Sequence, residues 1–236
     1  MLVILLITSL GFSQETKTID STAVFILDKM SAIIGDLESV NFHLTNSEDK
    51  LDADNNIIKH YSTSDIYFSG SNKLKVKTER DEGKMGFWYD GLLLTYYNFD
   101  ENNYISLEAP ETTMEMIDEM NKNYNFLFPA ADFFYPSFTD DIIEHFDTVK
   151  LLGKKTIEGE ECYHILASNE NLNVQIFISN KTHLLPKHFV IIYKNKSNLQ
   201  YQSTFSNWNL NLSIPDAAFD FLPPPTAKLI SILKKS

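Results

Sequence analysis

The side chains best suited to metal binding are Cys162 and His164, which stand two residues apart in a predicted strand. Side chains at that spacing share one strand face, so a thiolate and an imidazole there could begin a zinc site. A zinc site needs three or four ligands, and the neighbouring sequence supplies no companion pair. A buried thiol beside a hydrogen-bonded histidine is therefore the preferred interpretation, and we predict no metal site and no cofactor.

Two acidic pairs, Asp140–Asp141 and Glu160–Glu161, are the next candidates, because paired carboxylates can act as general acid and base. Adjacent side chains point to opposite faces of a strand and lie about 100° apart on a helix. Neither pair is therefore arranged for acid–base chemistry. Negative charge at a helix N-terminus explains the first pair, and a hairpin turn explains the second.

Catalytic motifs are missing from the sequence: it has no G-x-S-x-G elbow, no H-E-x-x-H, no phosphate loop and no dinucleotide fingerprint. The only arginine, Arg80, falls in a polar segment, ERDEGK, which predicts a turn and offers little to clamp phosphates or carboxylates. We therefore predict no catalytic residues and no enzymatic activity. A hydrolase stays open as an alternative if the fold brings a histidine to a carboxylate in a cleft. The histidines are His43, His60, His145, His164, His183 and His188.

Aromatic side chains are concentrated between Gly86 and Pro110, where seven rings occur without a cysteine or a histidine. The two-residue period of a strand places Phe87 and Tyr89 on one face and Trp88 on the other. Such rings either fill a closed core or line a surface that receives an apolar ligand. The absence of a nucleophile beside them favours binding over chemistry.

Alternating apolar and polar residues predict a mainly β protein, an antiparallel meander with tight turns. The segment KLKVKT (73–78) alternates most regularly, so Leu74 and Val76 face inward. An amphipathic helix of about 16 residues is predicted after Asp20, its N-cap. The predicted strands are near 40–45, 58–69, 73–78, 84–89, 92–99, 104–107, 151–157, 162–167, 172–178, 188–193 and 201–209, with a last short one at 218–222.

A helical insertion is predicted at about 110–147, between the two runs of strands. Thr112 and Glu115 form a capping box, and Pro129 suits the first position of a further helix. Methionines give this segment an adaptable apolar face, as expected of a lid over a cavity. The predicted cavity residues are Leu74, Val76, Phe87, Tyr89, Met116, Ile117, Met120, Phe133 and Phe134.

Net charge, cysteine content and the N-terminal apolar run indicate the cellular location and the class of partner. A formal net charge of −12 argues against nucleic acid as a partner. The apolar run 1–13 predicts a signal peptide cleaved after Ser13, leaving one domain over 14–236. The only cysteine, Cys162, can form no internal disulfide, and none stands at the cleavage point to carry a lipid. We expect a periplasmic or secreted, soluble protein and a monomer.

Four segments resemble an uncharacterised family of predicted periplasmic bacterial proteins, which is similar to the LolA/LolB-like superfamily of lipoprotein carriers. They are FWYDGLLLTYYNFDENNYISLEAP, LLGKKTIEGEECYHILAS (151–168), LLPKHFVIIYKNK (184–196) and STFSNWNLNLSIPDAAFDFLPPPTAKLI (203–230). The resemblance implies a strongly curved antiparallel sheet, an incomplete half-barrel whose mouth is plugged by helices. It also implies lipoprotein transport or lipid sensing, and a lid held by an arginine from an early strand. No arginine is predicted in such a strand here.

The predicted function is non-enzymatic binding of an apolar ligand, a lipid, an acyl chain or a lipoprotein, in the cavity of a half-barrel. The protein would serve as a carrier or as a sensor with a membrane-associated partner protein. The alternative is a periplasmic interaction module without lipid cargo. An exposed apolar patch in place of an enclosed cavity would favour that alternative.

Overall fold

Alternating side chains build one open, curved sheet of 13 strands in the computed structural model, which describes residues 17–234. The mainly β half-barrel expected from the sequence is confirmed. The proposed signal peptide and its cleavage point lie outside the described residues. No helix within 17–234 has the length and apolar character required to cross a membrane.

The strands pair in the order β1-β8-β9-β10-β11-β12-β2-β3-β4-β5-β6-β7-β13. All neighbours are antiparallel except the two outermost pairs, β1 with β8 and β13 with β7. The strands are β1 (Thr18–Ile19), β2 (Ser39–Leu51), β3 (Ile57–Ser69), β4 (Lys73–Arg80), β5 (Gly83–Tyr89), β6 (Leu93–Asn98), β7 (Asn103–Glu108), β8 (Thr148–Ile157), β9 (Glu160–Ser168), β10 (Leu172–Ser179), β11 (Pro186–Tyr193), β12 (Leu199–Leu210) and β13 (Lys228–Leu229).

Helix α1 (Ser21–Gly35) packs its apolar face on the concave side of the sheet. Asp20 caps it as predicted, because its carboxylate accepts a hydrogen bond of 2.8 Å from the Thr22 N–H. The same carboxylate accepts from the N–H of Leu151 on β8 and so ties the helix start to the sheet.

The helical insertion lies between β7 and β8 and comprises α2 (Thr113–Tyr124), a 3-10 helix (Ala131–Phe134) and α3 (Phe138–His145). Thr112 caps α2, accepting from the Glu115 N–H at 3.3 Å and donating to the Glu115 carboxylate at 2.7 Å. The prediction for Pro129 is wrong. The 3-10 helix begins at Ala131, after Ala130 in the left-handed region with φ of 59°, so Pro129 lies outside it.

The chain end departs from prediction too. Residues 218–222 form no strand, because the apolar alternation of Phe219 and Phe221 lies between Pro215 and the prolines that follow, which lack N–H donors. Phe219 is fully buried, and the Phe221 ring packs 5.0 Å from Trp88 on the convex face.

Candidate ligand-binding site

The predicted cavity residues all lie in one continuous core between the sheet and the insertion. Leu74, Val76, Phe87 and Tyr89 come from the concave face of β4 and β5, and each is at most 2% exposed. Met116, Ile117 and Met120 form the buried face of α2, since positions 116 and 120 are one helical turn apart. Sequence reasoning therefore identified the residues that join the two layers.

Two pockets open on the concave face, on either side of residues 127–132. The first, which we call the apolar pocket, has a volume of about 630 Å³ and lies between α2, the 3-10 helix, α3 and strands β10 and β11. The polar pocket, of about 490 Å³, lies over the ends of β2, β3 and β4. Leu127, Phe128, Asp132, Phe189 and Ile191 border both, so the pockets adjoin, and together they are called the groove below.

Of the predicted residues, only Ile117 and Phe133 line the apolar pocket, and the other seven line neither pocket. Ligand contact by all nine stays a prediction. Sequence reasoning missed most of the actual lining, although it placed strands at 172–178 and 188–193. The two-residue period of these strands would have identified the side chains that share their concave face. The missed residues include Phe138, Ile142, Phe146, Val174, Ile176 and Phe189.

Phe87 sits one layer below the groove. Its ring packs 4.9 Å from Phe128, 5.2 Å from Phe126 and 5.3 Å from Tyr96. Rings from the sheet and the insertion therefore fill the space above β5 and β6, and only 2% of Phe87 is exposed. Trp88 faces the convex side, as expected from the strand period.

Consecutive phenylalanines in the 3-10 helix separate the filled region from the open one. Phe134 stacks on Phe42 at 5.6 Å and on Phe68 at 4.4 Å, in the middle of the sheet. Phe133 points toward β11 and β12, with its ring 5.3 Å from Phe189. The pair fixes the insertion to the sheet, and Phe133 also forms part of the wall of the apolar pocket.

Neutral polar side chains form the floor of the polar pocket. The Ser203 hydroxyl donates to the Asn46 amide oxygen, and the Asn46 amide donates to the Ser62 hydroxyl at 3.2 Å. Ser64 and Thr78 share a hydroxyl–hydroxyl bond of 2.9 Å. This row crosses β12, β2, β3 and β4. The groove is therefore apolar over β10 and β11 and polar over β2, β3 and β4.

Arg80 is the last residue of β4 and borders the polar pocket, which corrects the turn predicted for ERDEGK. An arginine therefore does stand in an early strand. It shares the concave face with Val76 and Thr78, because successive even positions of β4 point the same way. The intervening turn is confined to Asp81 and Glu82.

Aspartate and tyrosine side chains in the groove carry perturbed pKa values. Asp132 borders both pockets, and although its side chain reaches solvent in the groove, burial by the surrounding protein raises its pKa. Burial likewise raises the pKa of Tyr201 to about 12. Tyr135 donates to the Asp118 carboxylate at 2.7 Å, and burial together with that bond raises its pKa.

Cys162 and His164 lie together on the convex face of β9, away from the groove. The His164 ring stacks 4.3 Å from Phe177, and its Nε2 is 2.9 Å from the Gln175 amide oxygen. Burial raises the pKa of the Cys162 thiol to about 11, which disfavours a reactive thiolate. Between Lys17 and Lys234 no three metal-ligating side chains come together.

Histidines meet carboxylates in two places. His43 Nδ1 lies 2.8 Å from Asp65 Oδ1 across β2 and β3, outside both groove pockets. His60 borders the polar pocket with its Nδ1 3.3 Å from Glu82 Oε1. That nitrogen has no hydrogen-bond partner in the described part of the chain, so it activates no hydroxyl there.

The acidic pairs behave as structural residues. Asp140 and Asp141 occupy the first turn of α3. Glu160 bonds to Ser179 and pairs with Lys181, whereas Glu161 pairs with Lys154 at 2.8 Å. The glutamates thus make ion pairs with different strands and loops and do not converge on a common substrate position.

A family model described as a predicted periplasmic protein (DUF2092) matches residues 23–233. A relative, the uncharacterized protein MJ0687 of Methanocaldococcus jannaschii, is 30% identical over 140 residues, covering 58% of this chain. The aligned part spans only 36% of that protein.

Two solved structures share the fold at low sequence identity. An uncharacterized conserved protein from Thermus thermophilus aligns with a TM-score of 0.52 and 9% identity, covering 89% of this chain and 98% of the other. Lipoprotein LppX of Mycobacterium tuberculosis aligns with a TM-score of 0.51 and 13% identity, covering 84% of this chain and 99% of the other. At these identities the likeness concerns the fold alone.

Proposed function

We propose that this chain, which belongs to the DUF2092 family of predicted periplasmic proteins, binds an apolar ligand in its concave groove and performs no catalysis. The ligand is a lipid, an acyl chain or the acyl part of a lipoprotein. The observation that carries the proposal is the apolar pocket of about 630 Å³ beneath the helical insertion. Ligand pockets commonly have volumes of about 300–1,000 Å³ and mostly apolar linings.

The energetics of an acyl chain fit a pocket of this kind. Burying a methylene contributes about 0.8 kcal/mol, so eight methylenes contribute roughly 6 kcal/mol before the cost of immobilisation. No covalent or charged anchor is needed for affinity of that size. Release requires only that residues 127–132 or α3 move off the sheet, as befits a carrier or a sensor.

An interaction module is the second candidate, favoured by one observation. The tip of the β2–β3 hairpin exposes Leu51, Ile57 and Ile58 by 46%, 56% and 44%. Exposed apolar side chains grouped in this way are typical of protein contacts, here with a membrane-associated partner protein.

Native mass spectrometry of protein purified from its own periplasm tests the proposal. We expect a co-purifying lipid that departs on delipidation, after which a fluorescent fatty-acid probe binds the protein. Unbound protein in the spectrum, together with no probe binding after delipidation, would reject ligand binding and favour the interaction module.

A further inference from the structure

The groove has two chemically different ends that share lining residues. Leu127, Phe128 and Ile191 border both pockets, so the head of a ligand whose chain lies in the apolar pocket is next to the polar pocket. A purely apolar ligand would leave the hydroxyl and amide floor of the polar pocket without a partner from the ligand. An amphiphile would match both ends.

The charges around the polar pocket are largely compensated, with one exception. Lys50 lies 3.5 Å from Glu48 and 3.9 Å from Glu82, and His60 also approaches Glu82. The Arg80 side chain makes no hydrogen bond and no ion pair within residues 17–234. Its guanidinium is therefore the cation of this pocket that is free to receive an anion.

Arg80 lies on the concave face of β4, beside the polar pocket. Burial raises the pKa of Tyr96 on β6 and of Tyr201 on β12, and the positive charge of Arg80 opposes the rise in both. These strands lie on opposite sides of β4 in the sheet. Arg80 shares a strand face with Thr78, and both residues border the polar pocket, so the guanidinium lies at this end of the groove.

We propose that the polar pocket binds the anionic headgroup of an amphiphile, a carboxylate or a phosphate, through Arg80, while the ligand's chain occupies the apolar pocket. This inference rests on the proposed function and adds a ligand class to it. A guanidinium donates two parallel hydrogen bonds to either anion, and the Ser64 and Thr78 hydroxyls lie on the same floor to support them.

The acidic neighbours do not prevent this binding. Lys50 pairs with Glu48 and approaches Glu82, so its positive charge reduces the repulsion that these two carboxylates exert on an anion. Burial raises the pKa of Asp132, the acidic residue that borders both pockets, so its carboxyl takes up a proton more readily than an unperturbed aspartate does.

Two ligands with the same chain test the proposal, decanoate and 1-decanol, competing with a fluorescent fatty-acid probe on the delipidated full chain. We expect wild-type protein to bind decanoate at least tenfold more tightly than decanol. Arg80→Gln should abolish that preference while leaving decanol binding unchanged, and Arg80→Lys should restore part of it. Lys77→Gln is the matched control, because Lys77 is an exposed cation on the opposite face of the same strand, and it should keep the preference.

The outcomes distinguish failure of the headgroup site from failure of ligand binding in the groove. Binding of both ligands with a ratio that Arg80→Gln leaves unchanged would overturn the headgroup site and leave the apolar pocket in place. Equal loss of both ligands in Arg80→Gln would also overturn it, since Arg80 would then act on the groove and not on the anion. No binding of either ligand to wild type would reject the proposed function itself. Decyl phosphate in a parallel titration identifies which anion is preferred.

Discussion

Under α2 the concave face of the sheet is filled with rings, whereas under α3 the same face borders a cavity. Above β5 and β6, Phe87 and Tyr96 meet Phe126 and Phe128 of the insertion, so aromatic side chains from both layers interdigitate. Above β10 and β11 the sheet presents mainly aliphatic side chains, among them Val174, Ile176 and Ile191, beside one ring, Phe189. The comparison teaches that the size of the side chains on the sheet decides where the half-barrel is a core and where it is a container.

The largest effect is expected on the filled side, from Phe87→Asp. A carboxylate would be buried among rings without a partner, so we expect the free energy of unfolding to fall by more than about 3 kcal/mol. Urea denaturation measures it, with Lys77→Gln on the exposed face of β4 as the control that changes little. A stable Phe87→Asp protein with weakened probe binding would instead place Phe87 in the ligand site and erase the difference between the two sides.

A smaller effect, on binding and not on stability, is expected on the open side from Val174→Phe. The new ring would occupy part of the apolar pocket, and we expect probe affinity to fall at least tenfold, about 1.4 kcal/mol, with the melting temperature almost unchanged. Val190→Phe is the matched control, because its side chain points to the convex face of the adjoining strand. Unchanged probe binding in Val174→Phe would show that the ligand lies elsewhere.

The smallest effect concerns pH on the wall of the polar pocket. Burial raises the pKa of Tyr201 to about 12 in the folded protein, above the value of about 10 expected in the unfolded chain. Its contribution to stability is thus complete below pH 10 and is lost as the pH rises toward 12. Tyr201→Phe should therefore lose less stability between pH 9 and pH 11 than wild type, by under about 1 kcal/mol. Equal losses in urea titrations would mean that water already reaches the phenol.

The strands and α1 were predictable because their signals are local. Period-two alternation identified Leu74 and Val76 as inward, and both are 1% exposed. Asp20 and Thr112 are capping residues whose hydrogen bonds reach only two or three residues along the chain. Such contacts depend on little beyond the neighbouring sequence.

The lining of the groove was not predictable in the same way, because distant strands build it. Asn46 lines the polar pocket and is held by a hydrogen bond from Ser203, 157 positions away, which only the pairing of β12 with β2 brings close. Arg80 was misread for another reason. Where a strand reaches the rim of the groove, both of its faces meet water, so polar residues no longer distinguish a strand from a turn.

The two parallel strands at the ends of the sheet have a consequence for how the protein behaves when concentrated. An open sheet exposes unpaired backbone groups along its outer strands, and these can recruit another chain and start aggregation. Here β1 covers part of β8 and β13 covers part of β7, each with only two residues. Each outermost strand is too short to template a further one. The short outermost strands thereby limit edge-to-edge association of an open sheet that does not close into a complete barrel.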